Sequence, residues 1–98
     1  MRVLFVVSRA RETGTVFKLA EKMGGDGRRI IFLFVGDGSH CATDPDLVEH
    51  LRFAEGIYVL CDDASEGLPS DFVEGVEPTD YGGWVELLEA CDRVVSWN

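Results

Sequence analysis

Cys61 is the residue whose position most favours chemistry in this chain. It ends an apolar run, residues 57–61, that predicts a buried strand, and it opens a turn-rich acidic stretch. In α/β proteins the loops beyond the carboxyl ends of the strands present reactive side chains. A thiolate there can accept sulfane sulfur as a persulfide and pass it to another thiol, provided that a cation or a helix N-terminus lowers its pKa. Asp62 and Asp63 favour the neutral thiol, so a packing role for Cys61 is the alternative.

The other two cysteines are weaker candidates. Cys41 is the second candidate thiol because it stands beside a base, His40, although no third group is evident to orient the pair. Cys91 falls on the apolar stripe of the last predicted helix, which favours packing. Three widely spaced cysteines without a C-x-x-C motif argue against a disulfide framework and against a zinc site. We therefore expect reduced thiols and no bound metal.

The loop after the first predicted strand could hold an anion. Ser8, Thr13, Gly14 and Thr15 combine hydroxyl groups, a glycine and the start of a helix, and Arg9 adds positive charge. The pattern is only loosely similar to the phosphate loop of flavodoxins, because Ser8 and Thr13 are further apart in the sequence than the corresponding residues of that loop. A flavodoxin-like module that binds a phosphate-bearing ligand is the rival functional hypothesis, and a plain helix cap with solvated arginines is the structural alternative. No motif in the sequence calls for a cofactor.

Composition excludes several classes of protein. The chain has 98 residues and a net charge of -9, from 9 basic and 18 acidic residues. It contains too few lysines and arginines to bind nucleic acid directly by itself. The longest apolar run has about six residues, where a membrane span needs about twenty. The N-terminus lacks the layout of a secretory signal, so we expect a cytoplasmic protein.

Strand and helix patterns alternate along the whole chain and predict one domain, residues 1–98. Apolar, β-branched runs predict strands, and helical spacing between glycine or proline breakers predicts the helices. Right-handed crossovers then give a three-layer α/β/α sandwich with a mostly parallel sheet of about five strands, in a flavodoxin-like layout. The predicted strands are 2–7, 29–35, 57–61, 76–78 and 93–97, and the predicted helices are 13–24, 44–56, 68–75 and 81–91.

Four segments together resemble the DsrE/DsrF/DsrH (TusD/TusC/TusB) sulfur-relay family, and their order is most similar to its DsrH/TusB branch. They are GDG at 36–38, IYVL at 57–60, YGGWVELL at 81–88 and CDRVVSW at 91–97. The resemblance implies a DsrEFH-like fold and a possible sulfurtransferase subunit, acting toward thiolation of wobble uridine in tRNA or in sulfur oxidation. In the family's DsrE/TusD branch the persulfide-carrying cysteine lies just after the third strand, and Cys61 is the residue of this chain nearest that position.

Two departures from the branch leave the role of the thiol open. The first loop lacks the branch's Ser-Pro, and Cys61 stands where the branch usually has another residue. The chain is then either a catalytically silent partner subunit or a paralogue with a working thiol. A third functional hypothesis is a subunit that serves only assembly and carries out no reaction.

The resemblance implies a homo-oligomer, or a hetero-oligomer with DsrE/DsrF-like (TusD/TusC-like) chains, that exchanges sulfur with other carrier proteins. Core size supports association independently, because a five-strand sheet in so short a chain has little helix to cover it. We expect four aromatic side chains to stay partly exposed, a usual mark of an interface: Phe53, Phe72, Tyr81 and Trp84.

Overall fold

A five-stranded, all-parallel sheet forms the centre of the computed structural model, which describes residues 1–9, 13–60 and 75–97. The strand order is β4-β3-β2-β1-β5. The predicted α/β class and five-strand sheet are confirmed, and the strand boundaries agree to within one residue. The strands are β1 (Arg2–Val7), β2 (Arg29–Phe34), β3 (Gly56–Leu60), β4 (Glu77–Thr79) and β5 (Arg93–Trp97).

Within the described residues, three α-helices and one 3₁₀ helix lie between these strands. The helices are α1 (Gly14–Gly25), α2 (Pro45–His50) and α3 (Tyr81–Ala90), with the 3₁₀ helix at Gly36–Thr43. The helix predicted at 68–75 lies almost wholly outside the described residues. No helix among the residues that the structure describes is long and apolar enough to cross a membrane.

Two segments differ from the sequence prediction. The loop after β2 winds into the 3₁₀ helix, and α2 ends at His50, short of the predicted end at Gly56. After His50 the backbone makes i→i−3 hydrogen bonds, from Arg52 N to Glu49 O (3.3 Å) and from Ala54 N to Leu51 O (2.9 Å). This tighter winding ends the α-helix and lets Phe53 pack edge-on against Phe32, with ring centroids 6.0 Å apart.

The first face of the sheet carries the larger core. Alternate residues of β1, β2 and β3 point to this face, where α1, the 3₁₀ helix and α2 cover them. Phe32 lies at the centre and contacts the rings of Phe5, Phe17 and Phe34 at centroid distances of 5.6, 5.6 and 6.2 Å. Such tilted, edge-on and offset pairs add to the burial of apolar surface.

The second face has a smaller core under a single described helix. Its buried residues are Leu4, Val6, Ile31 and Leu33. Trp84 and Leu87 of α3 pack on them, yet no residue of α3 is fully buried. Leu88 has helical spacing to Trp84 and belongs to the same apolar stripe in the sequence, yet it is exposed. Trp84, Leu87 and Cys91 pack on the sheet, and Leu88 lies on the flank of the face that they form.

Gly38 holds the 3₁₀ helix against the end of β1. A Cβ atom at this buried position would overlap the carbonyl oxygen of Val7. That oxygen also accepts a hydrogen bond from Val35 N at 2.9 Å, so the backbone has little freedom to move away. Only glycine permits this approach.

Replacing Gly38 with alanine should therefore lower the free energy of unfolding by about 2 to 4 kcal/mol through steric overlap with rigid backbone. Gly14→Ala is the matched control, since no atom lies within 4 Å of a Cβ there. The control should range from neutral to about 1 kcal/mol more stable. Urea unfolding followed by circular dichroism measures both, and equal midpoints for the two variants would contradict the close-contact explanation.

Candidate functional site

The carboxyl edge of the sheet is the place where the sequence predicts chemistry. Here Ser8 donates hydrogen bonds to Trp97 O from its backbone N at 3.0 Å and from its Oγ at 3.1 Å. These bonds tie the end of β1 to the end of β5. The carboxyl ends of β1 and β5 are therefore hydrogen-bonded to each other at the edge of the sheet from which the candidate loops leave.

Cys61 follows Leu60, the last residue of β3, in the sequence. β3 pairs with β2 on one side and β4 on the other, so it is an inner strand of the sheet. The candidate persulfide thiol itself, with the rest of 61–74, lies outside the described residues. Its role stays a prediction.

Cys41, the second candidate, is a buried residue of the 3₁₀ helix. It is only 4% exposed and belongs to the core of the first face. Burial raises the pKa of the Cys41 thiol, and the Asp44 carboxylate raises that pKa further. Asp44 is held in place as the N-cap of α2, where its Oδ1 accepts from Asp46 N at 3.1 Å and from Leu47 N at 3.4 Å.

His40 does not share the environment of Cys41. Its side chain is exposed, whereas the neighbouring thiol is inside the core. A buried neutral thiol is a poor nucleophile and is out of reach of a donor protein. The geometry therefore favours Cys41 as a packing residue and leaves Cys61 as the better candidate carrier.

Cys91 follows α3 and packs against the core of the second face together with Trp84 and Leu87. It is partly buried. Burial raises the pKa of the Cys91 thiol, and the nearby Arg2 guanidinium only partly offsets this. Its surroundings match the packing role that its helical position predicts.

The start of α1, the rival anion site, is only partly described because residues 10–12 are outside the described range. Thr13 is the N-cap, and its side chain makes no capping hydrogen bond. Gly14 and Thr15 are exposed in the first turn. Within the described ranges, no group of three or more His, Cys, Asp or Glu side chains is placed to hold a metal ion.

Comparison with known proteins gives a fold and no close relative. No known protein family and no curated protein matches the sequence. Among solved structures, the YchN protein from E. coli superposes with a TM-score of 0.65, covering 99% of this chain and 100% of the YchN chain. YchN has a DsrEFH-like fold. This chain has a DsrEFH-like fold. The sequences are 13% identical, so the likeness concerns the fold alone.

The raised pKa values predict slow thiol chemistry at Cys41. At neutral pH, alkylation resolved by peptide mapping should label Cys41 more slowly in the folded than in the denatured protein, since the raised pKa lowers the thiolate fraction and burial blocks the reagent. Labelling should accelerate as the pH rises above the ordinary thiol range. Asp44→Asn removes one cause of the raised pKa and should bring this acceleration to lower pH. Rapid labelling of Cys41 in the folded protein at neutral pH would contradict this prediction.

Proposed function

We propose that this chain is a small cytoplasmic subunit of a sulfur relay, similar to the DsrH/TusB branch, and that Cys61 carries sulfur as a persulfide. The observation that supports this proposal most directly is the DsrEFH-like fold over 99% of the chain. In that fold β3 is an inner strand ending at Leu60, and Cys61 comes next in the sequence. The pathway served is tRNA wobble-uridine thiolation or sulfur oxidation.

The proposed transfer consists of two exchanges at sulfur with no net redox change. In the first, the Cys61 thiolate attacks the outer sulfur of a donor persulfide, the donor's S–S bond breaks, and the donor leaves as a thiolate. In the second, an acceptor thiolate attacks the outer sulfur of Cys61 persulfide, and Cys61 leaves as a thiolate. Both steps require Cys61 to be deprotonated when the partner is bound.

The sequence around Cys61 supplies no cation that would favour its thiolate. No lysine or arginine stands between Arg52 and Arg93, and Asp62 and Asp63 follow Cys61 directly. Neighbouring carboxylates favour the neutral thiol. A basic group of a donor or acceptor protein would lower the pKa of Cys61 during the encounter, so sulfur transfer is faster in the complex than with the free chain.

The three cysteines allow a matched test of the carrier. After incubation with a sulfane-sulfur donor, the wild-type protein should gain the mass of one or more sulfur atoms, and peptide mapping should place a persulfide on Cys61. Cys61→Ser should abolish this gain, whereas Cys41→Ser and Cys91→Ser should retain it because both thiols are packed and neutral. Equal loading of the Cys61→Ser protein would refute the assignment.

The rival flavodoxin-like module has a separate outcome in the same purified protein. A sulfur carrier should be colourless and show no micromolar binding of flavin mononucleotide in a fluorescence titration. Flavin binding that Thr13→Ala or Thr15→Ala weakens would favour the phosphate site at the start of α1 over the sulfur relay.

A further inference from the structure

One flank of α3 exposes a row of large apolar side chains. Tyr81, Val85 and Leu88 are 57%, 52% and 41% exposed. Their spacing of i, i+4 and i+7 puts them on the same side of the helix. Trp84 and Leu87 face the sheet. The Tyr81 ring stacks on Trp84, with ring centroids 6.1 Å apart, and Tyr81 is still more than half exposed. We call Tyr81, Val85 and Leu88 the α3 stripe.

The neighbouring edge of the sheet adds apolar surface on the same side. Val94 of β5 is in register with Leu4, a buried residue of the second face, and is itself 43% exposed. β5 is an edge strand, paired with β1. The second face therefore leaves apolar groups in water on both its helix and its edge strand, whereas the described surface of α1 on the first face exposes one large apolar side chain, Leu19.

The charged residues bordering the α3 stripe are acidic. Glu89, four residues after Val85, is exposed next to the stripe, and Glu86 is exposed on the outer side of α3. Asp80 caps the N-terminus of α3, with Oδ1 accepting from Gly83 N at 2.8 Å. Arg93 is in register with Val3 and so belongs to the opposite face. Near the other end of α3, Arg2 is ion-paired with Glu55 at 3.4 Å.

We infer that the α3 stripe is the docking surface for a basic amphipathic helix of a different protein. The stripe spans seven residue steps, about 10 Å of helix, which suits one helix crossing another. Burial of its apolar groups favours association, and lysine or arginine beside them would complement Glu86 and Glu89. This inference does not rest on the sulfur chemistry of Cys61.

A second copy of this chain fits the surface less well. Two-fold pairing of α3 with itself would bring Glu86 and Glu89 toward their own copies, and like charges at close range repel. Docking of the α1 surface of another copy would supply Lys18 and Lys22 but only Leu19 as a large exposed apolar group. A partner that covers the three apolar side chains of the α3 stripe needs a comparable apolar row, and the described surface of α1 does not offer one.

Two synthetic helical peptides with the same leucine stripe test the inference, one flanked by lysines and arginines and the other by glutamates. Fluorescence anisotropy should show saturable binding of the basic peptide, at least about tenfold tighter than the acidic one and weakened by salt. In NMR spectra the shifted amides should belong to α3 and β5. Leu88→Ser and Val85→Ser should each weaken binding by about tenfold.

Controls separate docking from folding and from charge alone. Leu19→Ser changes an equally exposed side chain on the first face and should leave the affinity unchanged. Leu88→Met keeps an apolar group and should retain binding. Glu86→Gln combined with Glu89→Gln should weaken binding and flatten its salt dependence. Persulfide loading of each stripe variant should equal that of the wild type, so failure of docking and failure of the sulfur proposal are distinguishable.

Four results would overturn the inference. Equal affinity for both peptides would contradict the proposed preference for a basic partner. Unchanged binding by Leu88→Ser would show that the α3 stripe is not the binding surface. Sedimentation showing a homo-oligomer that Leu88→Ser dissociates would assign the surface to a second copy. Preferential binding of phospholipid vesicles through the same residues would assign it to a membrane surface.

Discussion

Burial of the central strands on both faces is the constraint from which the rest of this structure follows. β1 and β2 each consist almost entirely of buried apolar residues, and their side chains alternate between two cores. A parallel sheet of this kind must be covered on both sides. In so small a chain that requirement distributes the helices, sets the environment of the cysteines and determines which apolar surface stays in water.

The described helices cover the two faces of the sheet unequally. The first face has α1, α2 and the 3₁₀ helix, and its core encloses Cys41 as completely as its phenylalanines. The second face has one described helix, which contributes Trp84 and Leu87 inward and leaves its flank exposed. Among the described residues, exposed large apolar side chains are thus more numerous on the second face, beside carboxylates and the β5 edge, than on the first face, where Leu19 and Phe53 are exposed. This asymmetry is the physical basis for treating the second face as the one that meets another protein.

The fold places both described thiols, Cys41 and Cys91, in surroundings that suit packing rather than reaction. Burial raises the pKa of both Cys41 and Cys91, and the surrounding groups do not cancel that effect. A sulfur carrier needs the reverse conditions, an accessible thiol with a cation nearby. The residue after β3 remains the better proposal, because the carboxyl end of an inner strand presents a side chain to incoming partners.

The sequence by itself determined the fold class and most element boundaries. Runs such as Val3–Val7 of β1 are too apolar for any place except a doubly covered sheet, and breakers such as Gly24 and Pro45 mark the helix ends locally. The burial of Cys41 and the exposure of Leu88 were decided only by tertiary structure. Cys41 turns inward because the chain winds into a 3₁₀ helix, which depends on Gly38 fitting beside the Val7 carbonyl far away in sequence. Leu88 turns outward because α3 has apolar residues on two flanks, and only contact with the sheet selects the one that is buried.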